Sequence, residues 1–162
     1  MTRSSADPDL TEHERSVLGR LEATGWFVNM IAADDSGPGF AYSFGLYRTF
    51  QYPEIILFGL PEDVMHQLIN DIGRQLRSGS PGYWDGSESS DLLEGYRCQF
   101  RRVVPGWYKT TLTWASWFYR SSDFPALQLF WPDKAGLFPW EQGCNERVRD
   151  LQPDLRTLPN KN

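Results

Sequence analysis

The chain has 162 residues, 40% of them hydrophobic and 23% charged, and its net charge is −5. This composition is typical of a soluble globular protein with one core. The acidic balance argues against nucleic acid as a partner, because phosphate binding needs clustered lysine and arginine. Aromatic residues make up 15% of the chain, so the burial of rings should dominate the stability of the core.

The sequence predicts neither a secretory signal nor a membrane-spanning helix. The first ten residues contain no apolar segment, and no run approaches about 18 apolar residues. The two cysteines, Cys98 and Cys144, form no CxxC pair and no disulfide framework. We therefore expect a cytoplasmic protein with reduced thiols that makes no contact with a membrane.

The chain begins with a polar segment, residues 1–8, which we expect to be disordered. A capping box follows, in which Thr11 can cap a helix and Glu14 can reach back to it. Apolar residues continue at helical spacing towards Gly25, a residue type that commonly ends helices. A first helix is therefore predicted between Thr11 and Gly25.

Two strands are predicted next, over residues 26–31 and 40–46, and they form a hairpin with a longer loop. Gly45 inside the second strand indicates a bulge or a close backbone approach. A connector leads to a third strand, residues 55–58, which begins after Pro53. Because this strand is apolar on both faces, we expect it to be central and covered on both sides.

The second helix has the clearest pattern in the chain. Pro61 suits a first helical turn, acidic residues follow it, and arginines lie near the predicted end. One apolar face consists of Val64, Met65, Leu68, Ile69, Ile72 and Leu76. After it, residues 78–90 form a loop rich in Gly, Ser and Pro, in which Tyr83 and Trp84 either form a lid or tuck back onto the core.

Three further segments complete the predicted elements. Residues 96–101 alternate as a half-buried strand in which Tyr96 faces inward. Residues 107–120 have the β-branched and aromatic content of a strand, but their apolar spacing favours a helix, which we predict. The tail, residues 146–162, has no strong period, and we expect it to be loosely structured.

These elements predict a single α+β domain over residues 9–145. A mostly antiparallel sheet of five or six strands should carry two or three helices packed on one face.

Residues 126–142, ALQLFWPDKAGLFPWEQ, combine a short buried strand with a stiff aromatic turn. Prolines bracket the strand, and the segment that follows has the Pro, Asp and Gly of a tight turn. The rings either plug one end of the core or form the wall of a concave site. In the second case the wall consists of Trp131, Asp133, Trp140 and Glu141.

Carboxylates are the main candidates for catalysis. The two histidines, His13 and His66, have no partner at metal-ligand spacing, so we predict no metal site and no cofactor. Glu54, Asp133 and Glu141 each lie at a strand end or turn beside large apolar residues, where burial would raise their pKa values and produce a general acid or base. The alternative, which we favour for each residue singly, is that they cap backbone N–H groups.

Ligand-binding candidates lie on the predicted strands, on the second helix and in the aromatic turn. Asn70, near the edge of the apolar face of the second helix, either orients a ligand or bonds to solvent. The complete set is Tyr42, Asn70, Gln128, Trp131 and Trp140.

Two stretches of the chain resemble a known family. They are FAYSFGLYRTFQYPEIILFGLPEDVMHQLIND and, much later, LQLFWPDKAGLFPWEQG. The shared signals fall on Tyr42, Ser43, Gly45, Leu46, Pro53, Glu54, Asn70, Gln128, Pro132, Asp133, Gly136, Phe138, Pro139 and Trp140. Over roughly residues 25–143 the chain is similar to the DUF4262 family of bacterial proteins. This resemblance implies no general activity, so any catalytic role rests on the residues themselves.

Two kinds of function remain open. The first, which we favour, is a small-molecule or peptide-binding pocket, with or without metal-independent acid–base catalysis by the carboxylates. The second is a protein-interaction module, such as an immunity or regulatory partner of a basic protein, with aromatic anchors and an acidic rim.

Overall fold

The structure, a computed structural model, describes residues 1–158. Its strands are β1 (Phe27–Ile31), β2 (Phe40–Phe44), β3 (Glu54–Phe58), β4 (Glu88–Leu93), β5 (Tyr96–Arg102) and β6 (Ala126–Phe130). They form one six-stranded sheet in the order β1-β2-β3-β6-β5-β4. β3 and β6 are parallel, and the other neighbouring pairs are antiparallel.

The helices are distributed along the whole chain. They are α1 (Glu12–Thr24), α2 (Leu46–Phe50), α3 (Glu62–Arg77), α4 (Tyr108–Thr111), α5 (Thr113–Tyr119) and α6 (Glu146–Asp150), and a 3-10 turn at Pro105–Trp107 precedes α4. The predicted α+β class with a mostly antiparallel sheet is confirmed. The choice of helix for residues 107–120 is also confirmed, with an interruption at Leu112 between α4 and α5.

The helices cover both faces of the sheet, which corrects the expectation that they pack on one. Tyr42 and Ile56 belong to a core that includes residues of α1, α4 and α5. The alternate strand residues Ala41 and Ile55 belong to a second core with α3. The physical reason is visible in β3, whose five residues are all buried, since a strand with two apolar faces requires cover on both.

Three elements lie where the sequence predicts a connector, a loop or a loose tail. α2 lies in the connector before β3, β4 in the polar segment 78–90 and beyond it, and α6 in the tail. In the segment before β4, Tyr83 stacks on Phe100 with ring centroids 4.3 Å apart, whereas Trp84 is 66% exposed. One ring therefore tucks onto the core and the other faces solvent.

The N-terminal segment is docked on the domain, in contrast to the expected disorder of residues 1–8. The backbone N–H of Arg3 donates to the carbonyl of Phe118 at 3.0 Å, and its side chain donates to the carbonyl of Trp117 at 2.8 Å. The hydroxyl and N–H of Ser5 both donate to Glu22 of α1. These bonds, which polar composition alone does not reveal, hold the segment against α1 and α5.

The C-terminal segment is also ordered as far as it is described, and two glutamines attach it to β6. Gln128 accepts from the N–H of Leu155 at 3.0 Å and donates to the carbonyl of Pro153. Gln152 accepts from the N–H of Trp131 at 3.0 Å and donates to its carbonyl at 2.9 Å. Residues 146–158 are therefore not loosely structured, and residues 159–162 of the predicted tail lie outside the described residues.

Candidate functional site

Glu54 begins β3 and is completely buried. Its two carboxylate oxygens accept five hydrogen bonds. The donors are the N–H groups of Gly45, Leu46 and Tyr47 at 3.1–3.2 Å, the hydroxyl of Ser43 at 2.8 Å and the hydroxyl of Tyr119. The N–H groups belong to the start of α2, a helix without a side-chain cap of its own. Glu54 therefore caps α2, and we call this arrangement the Glu54 cap.

Burial and hydrogen bonding act on the pKa of Glu54 in opposite directions. Complete burial raises it, and the donors, led by Tyr119, oppose the rise. The Tyr119 hydroxyl also accepts from the N–H groups of Gly45 and Arg48 at 3.2 Å. Burial and the neighbouring carboxylate raise the pKa of Tyr119 far above its ordinary value. Both groups are thus enclosed and engaged in holding α2 against β3.

Gly45 makes the predicted close backbone approach. Its φ is +110°, and a Cβ there would lie 2.8 Å from the carbonyl oxygen of Gly25. A side chain would therefore collide with the backbone that ends α1 and enters β1. This contact brings the N–H groups of the α2 start towards Glu54.

Asp133 organises the turn after β6 through its own backbone contacts. Its Oδ1 accepts from the N–H groups of Ala135 and Leu137, each at 2.9 Å, and its Oδ2 accepts from Asn145 at 2.9 Å. These bonds, of which that from Asn145 has the largest effect, hold the pKa of Asp133 below its ordinary value. Both oxygens are occupied, so the carboxylate stabilises the turn and joins it to the segment before α6.

Glu141 and Trp140 lie on the far side of the same turn. Glu141 accepts from the N–H of Phe138 at 2.8 Å. The Trp140 ring stacks on Phe138 with centroids 5.2 Å apart, and the guanidinium of Arg156 lies 4.3 Å from its centroid. These residues form an aromatic and arginine cluster over the end of β6.

The three carboxylates do not come together. Glu54 pairs with Ala126, the first residue of β6, whereas Asp133 lies beyond Phe130, the last residue of that strand. The two acids are thus at opposite ends of the parallel pair, with the whole length of β6 between them. Asp133 and Glu141 share the aromatic turn, but each bonds to the backbone beside it. The structure therefore shows three carboxylates bonded to backbone N–H groups, with Glu54 at one end of the parallel pair and Asp133 and Glu141 in one turn at the other.

The predicted ligand-binding side chains also have partners within the fold. The Tyr42 hydroxyl accepts from the N–H of Trp114 at 2.9 Å and from the Asn29 amide at 3.0 Å, and burial raises the pKa of Tyr42. Asn70 accepts from the indole N–H of Trp26 at 2.9 Å. Tyr42 lies on the face that carries α5, and Asn70 is on α3 at the opposite face. They do not share one site.

An apolar groove of about 390 Å³ lies outside the carboxyl ends of β3 and β6. Four segments separated in the sequence line it. They are Leu60, Pro61 and Val64 around the start of α3, Leu93, Glu94 and Tyr96 of the β4–β5 hairpin, Trp131, Pro132, Asp133 and Lys134 after β6, and Val148 of α6. The structure thus places Trp131 and Asp133 in the wall of the groove, whereas Trp140 and Glu141 lie outside its lining.

The groove follows from how the chain leaves the two parallel strands. β3 continues into α3 on one face of the sheet, and β6 continues into the C-terminal segment on the other face. Two parallel neighbours whose connections diverge in this way leave a crevice beyond their carboxyl ends. The Trp131 indole N–H donates to the carbonyl of Phe58 at 2.7 Å, which ties the ends of the two strands together beneath the opening.

The side chains that line the groove are mainly apolar. Charged side chains in its lining are Glu94 and Lys134, both exposed, and Asp133, whose oxygens are bonded to the backbone. Tyr96, predicted to face inward, is 37% exposed and contributes to the wall. The lining thus presents apolar surface around Trp131, with Glu94 and Lys134 as its exposed charged groups.

Neither cysteine belongs to the lining of the groove. Cys98 is buried and not in a disulfide, and burial raises its pKa to about 12, which disfavours the reactive thiolate form. Among residues 1–158, no three His, Cys, Asp or Glu side chains are arranged to hold a metal ion. Within the same residues, no helix is both long and apolar enough to cross a membrane.

The fold and the groove define a class of protein, a single α+β domain with an apolar crevice at the carboxyl ends of two parallel strands. A family model described as "Domain of unknown function (DUF4262)" matches residues 20–145 of the 162 residues. The chain belongs to this family, which confirms the resemblance. No similar protein was found among the curated proteins, and none among the solved structures.

Sequence patterns miss most of the groove. Leu60, Val64, Tyr96 and Val148 are ordinary apolar residues of a helix, a strand end and a short tail helix. One signal was available, the proline-bracketed aromatic segment that places Trp131 at a strand end. The remaining walls depend on the strand order, which no local pattern contains.

Proposed function

We propose that this protein binds a small, largely apolar molecule in the groove beside Trp131. The observation that carries the proposal is the groove itself, about 390 Å³ of apolar space outside the carboxyl ends of the parallel pair. Binding sites for small molecules commonly occupy about 300–1,000 Å³ and are mainly apolar with a few polar groups. Lys134 and Glu94, both exposed in the lining, are the polar groups available to orient a ligand.

Binding is favoured over catalysis because the predicted acids are already engaged. A general acid or base must come within hydrogen-bond reach of the reacting group. Both oxygens of Glu54 and both of Asp133 accept from groups of the chain. Glu141 bonds to the Phe138 N–H and is outside the groove lining. We therefore propose that the three carboxylates stabilise the fold and that Trp131 contacts the ligand.

We also propose that the protein acts in a bacterial cytoplasm. The bacterial origin is an expectation from the family resemblance. The two cysteines, Cys98 and Cys144, are free and buried, which suits a reducing compartment in which disulfides are rare.

A protein-interaction role is the second candidate, and exposed rings favour it. Trp84 is 66% exposed and Tyr96 is 37% exposed, and they flank the acidic strand β4. Exposed rings beside carboxylates suit the docking of a basic partner. In that case Tyr96 and the groove would receive a side chain of the partner.

Nuclear magnetic resonance of labelled methyl groups tests the ligand proposal. A library of small apolar fragments should shift the methyl signals of Leu60, Val64, Leu93 and Val148. A second groove of about 320 Å³, lined by Ile31 and Leu155 among others, provides the internal comparison. Shifts confined to that second groove, or no shifts at all, would contradict the proposal.

A matched pair of variants sharpens the assignment. Val148→Trp fills the groove from α6, a short exposed helix, so fragment binding should weaken about tenfold or more while the fold remains. Val104→Trp introduces the same ring at another half-buried valine away from the groove. It should leave fragment binding unchanged, and equal losses in both variants would indicate a general effect on folding.

A further inference from the structure

β1 forms one edge of the sheet, and among residues 1–158 its only strand partner is β2. It pairs with β2 through five consecutive residues, from Phe27 opposite Phe44 to Ile31 opposite Phe40. No strand among the described residues pairs with its other side. Within residues 1–158, the backbone groups of β1 that point outward have no hydrogen-bond partner in the chain. Such an edge is a template for another strand.

The opposite edge of the sheet, β4, is protected against pairing with a strand of another molecule, whereas β1 is not. β4 carries Glu88 and Asp91, and its register with β5 shifts between Ser89 and Leu93. Charges and irregular pairing are the common means by which edge strands avoid association. β1, with the sequence FVNMI, has no charge, no proline and an unbroken register, and all its residues are partly exposed.

The residue pattern of β1 suits a second copy of itself. Phe27 and Ile31 pack against the core that contains α1 and α5, and Val28 and Met30 pack against the core that contains α3. In an antiparallel pairing centred on Asn29, each Phe27 lies opposite an Ile31, and each Val28 lies opposite a Met30. Every apolar side chain then meets an apolar side chain on the same face. Both cores continue across the junction.

We propose that two copies associate through β1, joined antiparallel about Asn29, to form a continuous twelve-stranded sheet. The pairing satisfies about four to six backbone hydrogen bonds, depending on which alternate residues of β1 point outward. A five-residue strand buries much less than the roughly 1,200–2,000 Å² of stable interfaces. The dimer is therefore weak, with a dissociation constant between about 1 μM and 1 mM.

The net charge of −5 on each copy opposes this association, and salt screens the repulsion. Raising the salt concentration should therefore strengthen the dimer. This response distinguishes self-association from the docking of a basic partner on the acidic β4 edge, which salt weakens.

The test is sedimentation equilibrium of the full chain up to about 1 mM, with charge variants at the centre of the proposed pairing. Asn29→Asp places two carboxylates opposite each other and should weaken association about tenfold or more. Asn29→Lys should do the same through two ammonium groups. An equimolar mixture of the two variants should restore association, because Asp then faces Lys. Ser90→Asp, an exposed position on β4, is the matched control and should leave the dimer unchanged.

Each outcome decides the proposal. A chain that stays monomeric at the highest concentration overturns it and leaves the edge to a strand of another protein. A dimer unaffected by Asn29→Asp uses another face, and a mixture that fails to associate excludes the register centred on Asn29. Amide hydrogen exchange of the unmodified chain provides a measurement that needs no variant, since the outward amides of β1 should gain protection as the concentration rises.

Discussion

The two ends of the β3–β6 pair contrast sharply, although each has a carboxylate. At the amino end, Glu54 is completely buried and bonded to five donors. At the carboxyl end, Asp133 holds a turn, and the apolar groove opens beside it. At the amino end, hydrogen bonds to Glu54 fill the space between α2 and β3. At the carboxyl end, hydrogen bonds to Asp133 stabilise a turn that leaves the groove open. Both carboxylates hold the backbone around them, but only the end with Asp133 leaves an open groove.

The largest expected effect is at the amino end. Glu54→Ala leaves five donors without their acceptor in a region closed to water, and buried unsatisfied groups cost about 1–3 kcal/mol each. We expect the free energy of unfolding to fall by about 4 kcal/mol or more, measured by urea denaturation. Glu54→Gln keeps the shape and one acceptor oxygen, so it should cost about half as much. A loss below about 1 kcal/mol for the alanine variant would show that the Glu54 cap is not needed.

The same substitution, glycine to alanine, can be made near each end of the β3–β6 pair, and the losses of stability can then be compared. Gly45→Ala forces a side chain into the backbone of Gly25 at a φ of +110°, and should cost about 3 kcal/mol. Gly136→Ala, in the turn beside the groove, meets nothing within 4 Å at a φ of +84° and should cost about 1 kcal/mol. Thermal or urea unfolding of the two variants measures the difference. If both variants lose the same stability, the collision with the backbone of Gly25 adds nothing to the cost of placing alanine at a positive φ.

The smallest effect is in the pH dependence of stability, and its sign differs between the two ends. The pKa of Asp133 is lowered from its ordinary value of 3.8, so its stabilising contribution is complete above 3.8 and is lost as the pH falls through the folded-state value. The pKa of Glu54 is raised from 4.5, so its contribution increases as the pH falls towards 4.5 from above.

Unfolding curves of variants at several pH values separate these contributions. The advantage of the unmodified chain over Asp133→Asn should disappear below pH 3.8. Its advantage over Glu54→Gln should instead grow as the pH approaches 4.5 from neutrality. If both differences change in the same direction with pH, the assignment of opposite environments to the two carboxylates is wrong.

The sequence predicts the elements whose signals are local. The capping box at Thr11, the proline start of α3 and the apolar run of β3 each contain their own signals, and all three elements form as expected. The close approach at Gly45 was also predictable, since a glycine within an aromatic strand commonly marks a bulge or a place where another backbone comes near.

The remaining features depend on residues that are distant in the chain. α2 lacks a local cap because its cap is Glu54, and the tail is ordered because Gln128 and Gln152 bond to it. β4 is polar because it is an edge strand, so it lacks the apolar pattern by which strands are recognised. For the site, the sequence predicts Trp131 either as part of a core plug or as a wall, and the opposite walls come from α3, the β4–β5 hairpin and α6. Only the assembled sheet brings these segments together.

The most direct test of the proposed binding site beside Trp131 is a crystal structure of the protein soaked with a small aromatic fragment. We expect fragment density against Trp131, between Val64 of α3 and Val148 of α6, and no density near Glu54. Density that contacts the Glu54 carboxylate, or density only in the second groove beside Ile31 and Leu155, would contradict the assignment of the carboxyl end as the binding site.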